Sequence, residues 1–205
     1  MTPKSEIKTM DYGDKQYYIA LRGIVENKEK GWKNCAKELR ESLEAAQKAA
    51  DAGNAAGQYN LGMHYDYGFG VEESDEEAFK WYEKAAIQGH SDAMHKYAWC
   101  FKGYGIPPDM AKYYEWEKKA AFAYYAESKT ADPETAKDKI GDAVHALLCY
   151  ADGAPDEEVI TLFAQMQNDP QVQEYVAYRY SGSPAFFDDL ERQLKAEGSG
   201  VGREI

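Results

Sequence analysis

The sequence contains few of the residues from which disulfide frameworks and zinc sites are built. Its 205 residues include three cysteines, Cys35, Cys100 and Cys149, and no two of them have CxxC spacing. An odd number of widely separated cysteines argues against a disulfide framework and against a zinc site. We therefore predict neither in this chain.

Long hydrophobic runs are also missing. The longest uncharged apolar stretches, such as residues 143–151, are far shorter than the ~18 residues that a membrane-spanning helix needs. The N-terminal residues 1–15 contain no apolar segment of the kind found in secretory signals. These absences predict a soluble, cytoplasmic protein with no membrane partner.

Motifs for catalysis and cofactor binding are absent as well. The Gly-x-Gly pairs at 68–70 and 103–105 lack a third glycine, and GKS, GKT, HExxH, GxSxG and EF-hand patterns do not occur. His95 lies five residues from both His90 and Cys100, a spacing that places side chains on different helix faces. We therefore expect no catalytic residue, no metal and no cofactor. An enzyme remains an alternative only if the C-terminal helices form a pocket around His145 and clustered carboxylates.

Positive charge is scarce relative to negative charge. The chain has 24 Lys and Arg residues against 36 Asp and Glu residues, for a net charge of −12, and the excess lies after residue 50. An acidic surface repels phosphate backbones, because nucleic-acid affinity comes largely from Lys and Arg. We therefore predict no nucleic-acid partner. The acidity either favours a basic partner or serves solubility alone.

Two copies of one sequence pattern run through the middle of the chain. The first copy, within residues 53–89, contains Leu-Gly, Gly-x-Gly and Trp-Tyr-Glu-Lys-Ala-Ala in that order. The second copy follows at an offset of 36 residues, which becomes 35 after a shorter loop. The first copy predicts a helix A at 54–67 and a helix B at 75–88, joined by a glycine turn. Because a single hairpin cannot bury both of its faces, neighbouring copies must stack.

These residues resemble the Sel1-like repeat family, a variant of the tetratricopeptide αα-hairpin. The family pattern A-x-x-x-L-G-x-x-Y-x-x-G-x-G-V-x-x-D-x-x-x-A-x-x-W-Y-x-K-A-A-x-x-G is met nearly throughout residues 57–89. The second copy departs more from the pattern, with Ala98, Tyr113 and Glu117 in place of glycine, alanine and tyrosine. The resemblance covers residues 45–122.

The resemblance implies an all-α fold, a short right-handed α-solenoid of αα-hairpin repeats with extra C-terminal helices. We predict a repeat region at residues 1–128, a helical extension at 129–197 and a flexible tail at 198–205. Helix-start signals at Pro133, Pro155, Pro170 and Pro184 predict the helices of the extension. The repeat region divides into a degenerate hairpin at 14–51, a clear repeat at 52–88 and a second repeat at 89–124.

The resemblance also implies where a partner binds, since helix A of each repeat lines the concave face in this family. The positions of helix A that the pattern leaves variable are then candidate contacts. Asn60 and His64, like Lys96 and Cys100, are four residues apart and share a helix face. Any one of them is equally well explained as an ordinary surface position, and Trp99 as a core residue. The candidates are Asn60, His64, Tyr67, Lys96, Trp99, Cys100 and, at the end of the second helix A, Gly103.

Tyrosine is abundant, with 17 residues, and five of them crowd the second copy and the helix after its loop. Most tyrosines at helical spacing are core rings, but exposed ones on an acidic surface would suit a protein interface. The five are Tyr104, Tyr113, Tyr114, Tyr124 and Tyr125.

The sequence therefore favours a non-enzymatic interaction module, an adaptor or scaffold that binds a partner protein or peptide, possibly a basic one, in its concave groove. The alternative is an acidic inhibitor or immunity protein that neutralises a cationic toxin or effector. Whether the C-terminal helices continue the solenoid or fill the groove stays open at this stage.

Overall fold

The structure is a computed structural model that describes residues 32–150, 156–179, 187–188 and 190–192, with side chains from residue 39 onward. The first helix of the hairpin predicted at 14–51 and the tail predicted at 198–205 lie outside the described residues. Every element in the described part of the chain is an α-helix, which confirms the all-α prediction. The helices are α1 Trp32–Asp51, α2 Ala55–Asp66, α3 Asp75–Ile87, α4 Ser91–Cys100, α5 Met110–Ser128, α6 Pro133–Tyr150, α7 Glu157–Gln167 and α8 Pro170–Arg179.

The chain divides into two compact units, residues 1–108 and 109–205. In the first unit α1 packs on α2, α2 on α3 and α3 on α4, which is the consecutive helix packing of an α-solenoid. In the second unit α5 packs on α6, and α8 packs on both α6 and α7. The division falls between helix A and helix B of the second repeat, so α4 belongs to the first unit and α5 to the second.

The helices begin where side chains can accept the backbone N–H groups of the first turn. Oδ1 of Asn54 accepts from the N–H of Gly57 at 2.8 Å, and Oγ of Ser74 accepts from the N–H of Glu77 at 3.2 Å. Such a cap stabilises a helix by roughly 1 kcal/mol. The acidic residues that follow Ser74 lie in the first turn of α3, where they favour the helix dipole.

The repeat is visible in the burial of equivalent positions. Leu61 and Gly62 of α2 are buried, and so are Tyr97 and Ala98, which lie 36 residues later in α4. The same holds in helix B, where Glu117 of α5 is buried like its equivalent Tyr82, although a carboxylate replaces a ring. Helical periodicity therefore sets the buried face in both copies, even where the residue type changes.

A close helix contact in the first unit joins Gly62 of α2 to Tyr82 of α3. A methyl group placed on Gly62 would lie 2.7 Å from the Tyr82 ring, closer than carbon atoms pack. Tyr82 is 1% exposed, so the ring fills the space that the glycine leaves.

The loop glycines adopt the conformations that their turns need. Gly68 and Gly70, between α2 and α3, have φ of +65° and +78°, and Gly105, after α4, has φ of +77°. L-residues with a side chain rarely adopt these angles. The Gly-x-Gly pairs therefore act as hairpin turns, as the sequence indicated.

Candidate partner-binding site

A cavity of about 330 Å³ opens in the first unit between the C-terminal end of α2 and the exposed side of α4. We call it the α2–α4 cavity. Its polar groups come from the end of α2 and from α4, and most of its wall is aromatic. The lining residues are Asp66, Tyr67, Tyr82, His95, Lys96, Trp99, Cys100 and Tyr104.

An ion pair joins the two helices inside this cavity. Nζ of Lys96 donates to Oδ2 of Asp66 at 3.1 Å and to the hydroxyl of Tyr67 at 2.9 Å. The buried Tyr82 donates its hydroxyl to the same Asp66 oxygen at 2.8 Å. Asp66 is thus the acceptor that α3 and α4 share, and the network fixes the position of α4 against α2.

The ion pair is partly accessible to solvent. The Lys96 and Asp66 side chains are 28% and 27% exposed. Burial opposes the charged form of Lys96, but the hydrogen bond to Tyr67 and the attraction of Asp66 outweigh it and raise the pKa of Lys96. Lys96 therefore stays cationic throughout the physiological range.

Burial and two carboxylates act on the Cys100 thiol at the cavity wall. Burial raises the pKa of the Cys100 thiol to about 12, and the negative charges of Asp66 and Asp75 add to this increase. Lys96 acts in the opposite direction and more weakly than either carboxylate. The Cys100 thiol, whose Sγ lies 3.4 Å from the carbonyl oxygen of Lys96, is therefore protonated at neutral pH and is a poor nucleophile.

Aromatic rings form the mouth of the cavity. Tyr67 and Tyr104 are 46% and 55% exposed, although both are large hydrophobic residues. Nζ of Lys102 lies over the Trp99 ring, 4.4 Å from its centroid, whereas Nζ of Lys96 lies at the hydroxyl end of Tyr67, 5.0 Å from the centroid of that ring. The Trp99 ring is thus placed to bind a cation through its π face.

Of the seven candidate contacts, four line this one cavity: Tyr67, Lys96, Trp99 and Cys100. Two others lie inside the protein. Asn60 is 2% exposed and His64 is fully buried, so neither presents a surface to a partner in this conformation. Gly103 is an exposed glycine of the turn after α4 and has no side chain to contribute. The contact surface proposed below therefore lies at the cavity.

His64 is buried because helix α1 packs over this part of α2. Its Nδ1–H donates to the carbonyl oxygen of Phe69 at 2.6 Å, and its Nε2 accepts from the hydroxyl of Ser42 in α1 at 3.1 Å. A neutral imidazole satisfies both contacts, and burial lowers the pKa of His64. The residue joins α1, α2 and the following loop.

Asn60 occupies a less favourable environment. Among the described residues, neither the oxygen nor the nitrogen of its side-chain amide has a hydrogen-bonding partner. A buried amide without partners costs about 1–3 kcal/mol.

Sequence reasoning missed the residues that connect the candidates. Asp66 and Tyr82 lie 16 residues apart and Asp66 and Lys96 lie 30 apart, separations at which no helical periodicity relates two side chains. Tyr104 was identified only as a member of a tyrosine-rich segment. Of the other tyrosines in that segment, Tyr113 and Tyr124 are buried.

A second unpredicted pair lies in the second unit. Sγ of Cys149 is 3.6 Å from Nε2 of His145, one helical turn earlier on α6. The i,i+4 spacing of the two residues would have revealed their proximity. Within the described ranges, no group of three or more His, Cys, Asp or Glu side chains is arranged to hold a metal ion. None of the described helices is both long enough and apolar enough to cross a bilayer.

Comparison with known proteins identifies the repeats. The Sel1 repeat family matches residues 55–90 and 91–126, the two copies recognised by sequence. The chitin synthase regulator SKT5 of Saccharomyces cerevisiae is 40% identical over 60 residues, which is 29% of this chain and 9% of the yeast protein. The chain thus matches only a small part of that relative.

Two solved structures are similar to the chain as well. The Sel1 repeat protein from Oxalobacter formigenes is 28% identical, covers 58% of this chain and 86% of its own, and has a TM-score of 0.42. The protective antigen c5321 of uropathogenic Escherichia coli, described as displaying an SLR fold, is 21% identical. It covers 91% of this chain and 46% of its own, with a TM-score of 0.43.

Proposed function

Residues 55–126 are two Sel1 repeats, and from this premise we propose that the chain is a non-enzymatic adaptor that binds a segment of a partner protein in the α2–α4 cavity. Sel1 repeats generally mediate protein–protein interactions, and proteins built from them are typically non-enzymatic scaffolds. The contacts would come from Tyr67, Trp99 and Tyr104.

The observation that carries this proposal is the pair of exposed rings at the cavity mouth. Tyr67 and Tyr104 are about half exposed beside a concavity of about 330 Å³, in the segments that follow α2 and α4, the two helices that the Asp66 network connects. Aromatic residues beside a pocket are typical of the energetically dominant positions of protein interfaces. A rigid pocket also binds at a lower entropic cost than a flexible one.

The charge of residues 39–108 supports a basic partner. Residues 39–108 contain eleven carboxylates and six cationic side chains. Such an excess accelerates encounter with a positively charged segment, and the effect is screened by salt. Binding should therefore weaken between about 50 mM and 500 mM NaCl, since the screening length falls as ionic strength rises.

The acidity also supports a second function, the inhibition of a cationic toxin or effector by occlusion of its basic surface. The net charge of −12 favours this reading as much as the adaptor reading. The two functions share the binding surface and differ in the partner, so the identity of the captured protein separates them.

The proposal is tested by affinity capture from the source lysate at low and high salt. The baits are the wild type, the double variant Tyr67→Ala/Tyr104→Ala and a matched control, Tyr178→Ala, which removes a 75% exposed tyrosine of the second unit. We expect one prey that the wild type and the control retain and that the double variant loses. Equal retention by all three baits, with each shown to be folded by circular dichroism, would place the binding surface elsewhere.

A further inference from the structure

We propose that the α2–α4 cavity recognises an arginine side chain of the partner segment, that Asp66 is the carboxylate that pairs with the guanidinium, and that Lys96 is an internal competitor that the arginine displaces. This inference rests on the function proposed above and names the chemistry of its ligand. It differs from a general preference for basic partners, because it assigns recognition to one carboxylate and gives Lys96 an inhibitory role.

Asp66 has the accessibility and the unused acceptor capacity that such a role requires. Its side chain is 27% exposed at the cavity wall. The hydrogen bonds from Tyr82 and Lys96 both reach Oδ2. Oδ1 accepts no hydrogen bond from the residues that the structure describes. A guanidinium could therefore approach Oδ1 first and take over Oδ2 as Lys96 leaves, which would give the bidentate geometry typical of arginine–carboxylate pairs.

The aromatic walls favour a planar cation over a compact one. The cavity has a volume of about 330 Å³, which is larger than a lysine ammonium requires, and its wall includes the rings of Tyr67, Trp99 and Tyr104. A guanidinium is planar and weakly hydrated, so it can stack on a ring while its edge pairs with a carboxylate.

Negative charge acts on the cavity wall beside Lys96. Burial, Asp66 and Asp75 raise the pKa of the Cys100 thiol, and Lys96 lowers it. Nζ of Lys102 lies over the Trp99 ring, so this ring already accepts a cation from this chain. A cationic ligand therefore meets Asp66 as its partner and competes for the site with two lysines of this chain, Lys96 on Asp66 and Lys102 on Trp99.

Removal of Lys96 is the most informative change, because a direct contact and a competitor predict opposite effects on ligand binding. If it were a direct contact for the ligand, its removal would weaken binding. As a competitor for Asp66 it must leave before arginine binds, and its removal should strengthen binding. Lys96→Met keeps the length of the apolar stem and deletes the charge, so it tests the competition with little loss of packing.

The experiment measures binding of the full chain to immobilised heptapeptide pools of the form Ac-XXXRXXX-NH₂, where X is a random residue. Matched pools carry lysine or citrulline, the neutral analogue of arginine, at the central position. The protein variants are the wild type, Asp66→Asn, Lys96→Met and a charge-matched control, Asp51→Asn, at an exposed residue outside the cavity. Asp66→Asn preserves an acceptor for the buried Tyr82 hydroxyl, and thermal unfolding verifies that each variant folds.

We expect the wild type and Asp51→Asn to retain the arginine pool about tenfold more strongly than the citrulline pool, as a charge-assisted bidentate pair would give. Asp66→Asn should reduce this preference to less than twofold, and Lys96→Met should increase arginine binding several-fold. The inference is overturned if arginine and citrulline are retained equally, if the preference survives in Asp66→Asn, or if Lys96→Met weakens binding.

Failure of the arginine assignment is distinguishable from failure of the adaptor function. One outcome is that binding is independent of the central residue of the peptide and yet is lost in Tyr67→Ala/Tyr104→Ala. The cavity would then remain the binding site, and Asp66 would have no role in recognition. An arginine preference that persists both in the double tyrosine variant and in Asp66→Asn would contradict both proposals, because the cation would then bind outside the cavity.

Discussion

The hydroxyl of Tyr82 in α3 donates a 2.8 Å hydrogen bond to the Asp66 carboxylate at the end of α2. The same ring lies against Gly62, where a methyl group would meet it at 2.7 Å. Tyr82 therefore connects the packing of the first hairpin to the polar side of the α2–α4 cavity. Burial raises the pKa of Tyr82, so the hydroxyl remains a neutral donor at every physiological pH.

Replacing Tyr82 with phenylalanine should lower the free energy of unfolding by about 1–3 kcal/mol, because the ring stays in place while a hydrogen bond to a carboxylate is lost. Urea unfolding measures the change. Tyr65→Phe is the matched control, since Tyr65 is a partly buried ring of α2 whose hydroxyl has no partner in the described part of the chain. Equal destabilisation by the two substitutions would show that the bond to Asp66 contributes nothing.

The stability of the first unit should fall as the pH decreases below about 6.5, the ordinary pKa of histidine. Burial lowers the pKa of His64 in the folded state, so the unfolded chain binds more protons between the two pKa values. The contribution of neutral His64 to the free energy of unfolding is complete above pH 6.5 and is lost as the pH falls toward the pKa of His64 in the folded state. Urea unfolding from pH 8 to pH 5 measures it.

The matched variant for this test is His64→Gln, which removes the titrating group and retains hydrogen-bonding capacity toward Ser42 or Phe69. The difference in stability between the wild type and this variant should shrink as the pH falls. A difference that stays constant across the range would show that other groups cause the pH dependence.

Two loop glycines should differ in their tolerance of alanine. Gly89 has φ of +95° with no atom within 4 Å of an added methyl group, so Gly89→Ala should cost about 1–2 kcal/mol from backbone strain alone. Gly105 has φ of +77°, and its added methyl group would lie 2.7 Å from the backbone of Asp75. Gly105→Ala should lower the free energy of unfolding by about 1–3 kcal/mol more than Gly89→Ala, because the helix backbone at Asp75 cannot shift to make room. Thermal unfolding of both variants measures the difference, and equal destabilisation would refute the prediction.

The thiols of Cys100 and Cys149 should react at different rates. Cys100 is 7% exposed and burial raises its pKa to about 12, whereas Cys149 is more exposed and lies beside the His145 imidazole. Iodoacetamide at pH 8 should therefore modify Cys149 at least about tenfold faster, because the thiolate is the reacting form. Peptide mapping by mass spectrometry measures both rates in one sample. His145→Ala should slow the modification of Cys149 and leave that of Cys100 unchanged. Comparable rates for the two thiols in the wild type would contradict the predicted difference in reactivity.

The repeats, their helices and the positions of their turns follow from the sequence alone. Helices α2 and α3 were predicted to within a residue at each end, because apolar spacing, capping residues and turn glycines act over a few neighbouring residues.

Tertiary packing determines which of the equivalent positions remain accessible. Asn60 and Lys96 occupy the same place in successive repeats, yet Asn60 is 2% exposed and the Lys96 side chain is 28% exposed. His64 shows the reason at the first repeat: helix α1 covers this face of α2 and supplies Ser42 as its partner. The ion pair of Lys96 with Asp66 likewise joins residues 30 apart. Burial and pairing of this kind depend on which helix packs next, and no local pattern in the sequence encodes that choice.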